Sequence, residues 1–120
     1  MMPNTTKEPK LRVERVGSLL QELLGPIIAE YILETNNLVT ISRVNVSPDM
    51  RHAKVFLQVL NEKNDEAILK QLQNNMYDIQ GEVNRQVKMK IIPRIEFTID
   101  TSSRYAQHIS EVLENLRENE

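Results

Sequence analysis

The chain has 120 residues, a formal net charge of −2 and no cysteine. That length suits about one domain, large enough to bury roughly two-thirds of its unfolded surface. The missing cysteine excludes a disulfide framework, a thiol nucleophile and a thiolate metal site. No apolar run approaches the roughly 20 residues that span a bilayer, so no membrane partner is expected. The first ten residues are polar and include Glu8 and Pro9, which fits neither a secretory signal nor a transit peptide, and the expectation is a cytoplasmic protein.

Residues 1–10 are read as a flexible tail, 11–117 as one folded domain and 118–120 as a frayed acidic end. An amphipathic helix is expected from Leu11 to about Glu34, because Val13, Val16, Leu20, Leu23, Ile27 and Tyr31 recur every three or four residues. Pro26 cannot donate to the Glu22 carbonyl, and a kink is expected at Gly25-Pro26. Thr35-Asn36-Asn37 reads as a loop.

A hairpin follows from Val39 to Leu60. In its second strand Ala53, Val55, Leu57 and Val59 alternate with polar residues. In the first strand the apolar set changes phase, from the odd positions Val39 and Ile41 to the even positions Val44 and Val46. A one-residue slip would turn half of them to solvent, so a bulge is expected near Ser42-Arg43. Ser47-Pro48-Asp49-Met50 is turn chemistry.

Asp65 to Lys88 carries a second helical stripe: Ile68, Leu72, Met76, Ile79, Val83 and Val87. One helix of that length would reach roughly 36 Å. The weak helix formers Asn74 and Asn75 point to two shorter helices with a break between Asn74 and Asp78. Pro93 to Asp100 reads as a third strand, with Ile95, Phe97 and Ile99 on one face. Asp100-Thr101-Ser102-Ser103 can cap a last helix, in which Tyr105, Ile109, Val112, Leu113 and Leu116 are expected to face inward. The order α-β-β-α-α-β-α gives an α+β domain of KH type II, a three-stranded sheet covered by helices.

Three stretches, RVERVGSLLQELLGPII, VNVSPDMRHAKVFLQVL and NNMYDIQGEVNRQVKMKIIPRIEFTID, make the chain resemble the ribosome-binding factor A family from about Leu11 to Leu116. The resemblance implies a KH-like factor for late maturation of the small (30S) ribosomal subunit. It further implies support of 16S rRNA 5′-end processing and of growth in the cold, binding to free small subunits through rRNA, no catalytic site and no required cofactor. A monomer without a small-molecule substrate is expected. The family breaks its helix pair with Ala-x-Gly in place of the KH Gly-x-x-Gly loop; the matching residues here are Asn75, Met76 and Tyr77. The break then forms either at Asn74-Asn75 or nearer Gly81. Ala106 stands where the family's last helix usually has a glycine.

Such a domain needs cations for phosphate and polar groups for base edges and 2′-hydroxyls. Arg85, Lys88 and Lys90 are the candidate phosphate contacts, with Asn75 and Gln80 near the RNA backbone at the helix junction and Tyr77 as a stacking residue. Arg12 and Arg15 form a second basic patch, and Arg51 and His52 a third at the hairpin turn, where Arg51 has Asp49 as an alternative partner. His52 and His108 lie on separate elements, so no metal site is expected, and no phosphate-cradling glycine loop is present. The alternative is a KH-like protein-interaction module whose RNA surface has decayed.

Overall fold

The structure is a computed structural model that describes residues 7–32 and 39–118, with side chains from Leu11 onward. The element order is α1 (Lys7–Tyr31), β1 (Val39–Val46), β2 (His52–Val59), α2 (Asp65–Asn74), α3 (Met76–Gln86), β3 (Arg94–Ile99) and α4 (Ser102–Glu118), with a 3₁₀ turn at Glu62–Asn64. This is the expected α+β order. The loop at Thr35-Asn36-Asn37 lies outside the described residues.

β2 is the central strand, antiparallel to β1 and parallel to β3. A parallel neighbour requires a long crossover, which α2 and α3 supply. Alternation sends Ala53, Val55, Leu57 and Val59 inward, beside Ile95 and Phe97 of β3. Against them pack Leu20 and Leu24 of α1, Ile68 and Leu72 of α2, and Ile79 and Val83 of α3, all fully buried. Each such side chain contributes roughly 1.5–3 kcal/mol by burial.

The expected bulge is present. Ile41 pairs with Leu57 and Arg43 with Phe56, so Ser42 is the extra residue. Val39 and Ile41 before it, and Val44 and Val46 after it, all pack on the core. Above β1, Gly17 is buried, and a Cβ there would lie 3.1 Å from the Val44 carbonyl oxygen. The helix approaches the strand this closely because position 17 has no side chain.

Three expectations need correction. Residues 7–10 belong to α1, not to a tail; Pro9 is tolerated there because first-turn N–H groups have no helical partner. α1 also ends at Tyr31 and not near Glu34; it stays helical across Gly25-Pro26, as a proline-kinked helix does, and both residues are exposed, so the Glu22 carbonyl that Pro26 leaves free can face water. The third concerns α4. Tyr105, Ile109, Val112, Leu113 and Leu116 are not inward but 41–69% exposed. α1, α2 and α3 already occupy the apolar face of the sheet, and only the start of α4 is fastened to the body.

That fastening is polar. The Asp100 carboxylate accepts from the Ser42 hydroxyl at 2.7 Å, the Ser102 hydroxyl at 2.6 Å and the Ser102 amide at 3.0 Å. Arg104 donates to both Asp65 oxygens at 2.5 and 2.9 Å and to the Val59 carbonyl at 2.8 Å. Gln58 donates to the Ser103 hydroxyl at 3.1 Å.

Gly17→Val should lower stability by about 1–3 kcal/mol, read by chemical denaturation, because the Val44 backbone cannot yield to a side chain. The hydrogen bonds from Ser102 and Ser42 hold the Asp100 pKa down from 3.8 to about 2. A depressed carboxylate stabilises the fold above its unfolded value and loses that contribution as pH falls through its folded value. Thermal stability should therefore decline between about pH 4 and 2, and Asp100→Asn should remove this carboxylate's share of the decline.

Candidate nucleic-acid interface

α2 ends at Asn74 and α3 begins at Met76, so the break falls on Asn75, at φ −107° and ψ 14°. Asn75 closes α2 itself: its amide N–H donates to the Leu72 carbonyl at 3.2 Å and its side chain to the Gln71 carbonyl at 2.8 Å. No glycine is needed at this turn, and Gly81 lies within α3. The break directs α3 so that Ile79 and Val83 are buried while Tyr77 is 91% exposed.

Between α3 and the edge of β3 lies a groove of about 640 Å³. Tyr77, Gln80, Asn84 and Arg85 form its α3 wall, Arg94 its strand wall, and Tyr31 of α1 closes one end. A shallower depression shares Gln80, Asn84 and Arg94 and adds Lys90 and Ile92, extending the groove past the end of α3.

Gln80 fixes the groove's width. Its Nε2 donates to the Pro93 carbonyl at 3.2 Å and to Asn84 Oδ1 at 3.1 Å, and its Oε1 accepts the Ile95 amide at 2.8 Å. β3 is an edge strand, and Gln80 supplies part of the pairing that a fourth strand would provide.

Acids and cations both border the groove. Burial, and then the Glu82 and Asp78 carboxylates, push the Tyr31 phenol pKa up, and Arg85 opposes them, so Arg85 stands at the Tyr31 side with Asp78, which also lines the groove. Arg94 lines the strand side, and Lys90 lies in the adjoining depression. None of the three is in an ion pair among the described residues, where the ion pair found is Arg104–Asp65.

Three of the sequence candidates, Tyr77, Gln80 and Arg85, thus line one groove, and a fourth, Lys90, lines the depression that adjoins it. Arg51 and His52 lie beside it: the Arg94 amide donates to the Arg51 carbonyl at 2.8 Å, and His52 pairs with Arg94. Asp49 binds the Arg51 backbone amide at 3.0 Å and the Ser47 hydroxyl at 2.6 Å, which lower its pKa. Lys88 is exposed just beyond α3 and does not line the groove. Asn75 is engaged at the break. Arg12 and Arg15 are exposed on α1, and Arg15 borders a different depression with Glu14 and Glu22.

Sequence reasoning missed Arg94, Asn84 and Tyr31. Arg94 was visible as the outward neighbour of Ile95, and Asn84 as the residue one turn after Gln80. Tyr31 carried no signal, because its place in the apolar stripe of α1 also suits the core. Among the described residues no group of three or more His, Asp or Glu side chains could hold a metal ion, and no helix is long and apolar enough to cross a membrane.

The sequence profile of ribosome-binding factor A matches residues 12–113. The chain belongs to the ribosome-binding factor A family. Among curated relatives, ribosome-binding factor A of Caldicellulosiruptor saccharolyticus is 32% identical over 110 residues, covering 88% of this chain and 82% of the relative. That of Clostridium botulinum is 32% identical over 114 residues, covering 92% and 95%. The crystal structure of ribosome-binding factor A from Thermus thermophilus aligns with a TM-score of 0.62 at 25% identity, over 72% of this chain and 94% of that one. A Thermus thermophilus ribosome-binding factor A homology model, fitted into a cryo-EM map of a 30S complex, aligns with a TM-score of 0.53 at 26% identity, over 70% and 94%. The family's KH-like α+β fold is therefore the fold of this chain, and its helix break is carried here by Asn75 in place of the expected glycine motif.

Gln80→Ala leaves the Pro93 carbonyl and the Ile95 amide without their side-chain partner. It should cost about 1–3 kcal/mol of stability in denaturant titration.

Proposed function

We propose that the chain is a non-catalytic assembly factor that binds the free 30S subunit through 16S rRNA during late maturation, supports processing of the rRNA 5′ end, and acts as a monomer in the cytoplasm. The observation that carries this reading is the convergence of Arg85 and Arg94 with exposed Tyr77 in one groove, with Lys90 in the adjoining depression, beside the helix break at Asn75; none of these cations is in an ion pair among the described residues. Family membership, and the relative fitted into a 30S complex, supply the class of partner.

Single-stranded RNA presents phosphates and unstacked bases together. In this reading Arg85, Lys90 and Arg94 hold phosphate, and Lys88, Arg51 and His52 extend the basic rim. Tyr77 offers a stacking face, a contact usually worth about 1–3 kcal/mol. Gln80, whose amide hydrogens are both engaged, and Asn75 shape the groove rather than read bases. Arg12 and Arg15 are assigned to a separate phosphate contact from α1. Binding biases subunit maturation only if affinity for one subunit state exceeds that for the other, so release on maturation reflects lost preference and needs no chemistry by this chain.

Co-sedimentation with small subunits, large subunits and complete ribosomes tests the reading. Selective binding to free small subunits is expected, with log affinity falling against log salt at a slope of about −2 to −4 for three to five phosphate contacts. Arg85→Glu with Lys90→Glu should abolish that binding at moderate salt. Unchanged binding by the double variant would overturn the groove assignment. No binding by the natural chain, even to immature subunits at low salt, would favour the protein-interaction alternative.

A further inference from the structure

The face of the sheet turned away from α1, α2 and α3 carries a second arrangement of cations. The strand register assigns its members. Arg43 pairs with Phe56 and Phe56 with Thr98; Asn45 pairs with Lys54 and Lys54 with Glu96; His52 pairs with Arg94. Directly paired residues project to the same side. These rows alternate with the buried rows Val44–Val55–Phe97 and Val46–Ala53–Ile95, so all of them face out.

Arg43, Lys54 and Arg94 form a diagonal across the three strands. Each step crosses one strand and moves two residues along, a distance of about 8 Å given strands roughly 4.8 Å apart and a rise of roughly 3.4 Å per residue. All three are exposed, and none is in an ion pair among the described residues. Their rows include one acid, Glu96, and the Asp100 carboxylate, already held by Ser42 and Ser102, lies near Arg43; Asn45, Thr98 and His52 add hydrogen-bonding groups. The Arg43 guanidinium lies 4.1 Å from the Phe56 ring centroid, a stacked position that leaves its N–H groups available at the rim. Past the Arg43 row the face is closed by the start of α4, where Asp100 is held by Ser42 and Ser102 and Gln58 by Ser103.

Arg94 belongs both to this diagonal and to the wall of the α3–β3 groove. We propose that a single RNA strand held in the groove continues over the β3 edge at Arg94 and crosses the open sheet face along Lys54 and Arg43. The open face is thus a second, phosphate-contacting tract, continuous with the first. This rests on the groove reading and extends it. Contact through phosphates makes the tract tolerant of sequence.

The test uses the full chain and labelled single-stranded RNAs of about four nucleotides, enough for a KH groove, and about ten, enough to leave it. Arg43→Gln with Lys54→Gln removes two cations from exposed positions. For the longer RNA the salt slope should flatten by about 1.4, two contacts at about 0.7 each. Binding of the shorter RNA should not change. Lys54→Gln alone should give half the effect, which guards against disturbance of the Phe56 stack. Lys70→Gln, an exposed cation of α2 outside both surfaces, should leave the slope unchanged. An unaltered slope for the long RNA in the double variant, while Arg85→Gln with Lys90→Gln weakens both RNAs, overturns the tract and leaves the groove standing. An equal change in Lys70→Gln also overturns it, since general charge then accounts for the effect. Failure of the natural chain to bind either RNA overturns tract and groove together.

Discussion

Ser42 stands where β1 changes phase, and most of the molecule is referred to that one unpaired residue. Without the bulge, either Val39 and Ile41 or Val44 and Val46 would face solvent, and α1 would lose part of the floor it packs on. The bulge also turns Ser42 so that its hydroxyl reaches both the Phe56 carbonyl at 3.2 Å and Asp100 at 2.7 Å. It sets Arg43 on the open face, opposite Phe56. Core closure, the seat of α4 and the outermost cation of the sheet thus share a local cause.

The hairpin, its bulge and the crossover were legible because each rests on periodicity, and a buried face enforces periodicity strictly. The break at Asn75 was legible as a choice between two places; the capping bond to Gln71 decides it, and such a bond has no signature beyond the residue type. α4 was misread for a general reason. An amphipathic stripe shows that a face is apolar but not that anything covers it. Tyr105, Ile109, Val112, Leu113 and Leu116 have the spacing of a buried helix, yet the sheet surface they would need belongs to helices earlier in the chain. In the groove, cations and the exposed tyrosine could be found singly; their convergence with Arg94 required knowing which strand edge α3 crosses.

A weakly acidic chain can still offer anionic RNA a favourable surface, because its charges are sorted. Glu111, Glu114 and Glu118 lie on the side of α4 opposite its apolar stripe, away from the groove by sequence and by element. The polar fastenings at Asp100 and Arg104 keep that acidic helix rooted at the far end of the sheet from Arg94. Net charge averages over surfaces that a bound strand never meets together, so the local field, not the total, governs association.

α4 also extends the molecule. Its 17 residues make a rod of about 25 Å attached at one end, and the Cα radius of gyration is 17.9 Å with extents of 58 × 49 × 17 Å. A compact chain of this length would have a radius near 14 Å, and a compact globule reaches 17.9 Å only at about 250 residues. A single copy therefore has the radius of gyration of a globule about twice its mass. A mass inferred from the radius of gyration in small-angle scattering, calibrated on globular standards, would mistake one extended chain for a pair, and only a measurement sensitive to mass itself separates the two.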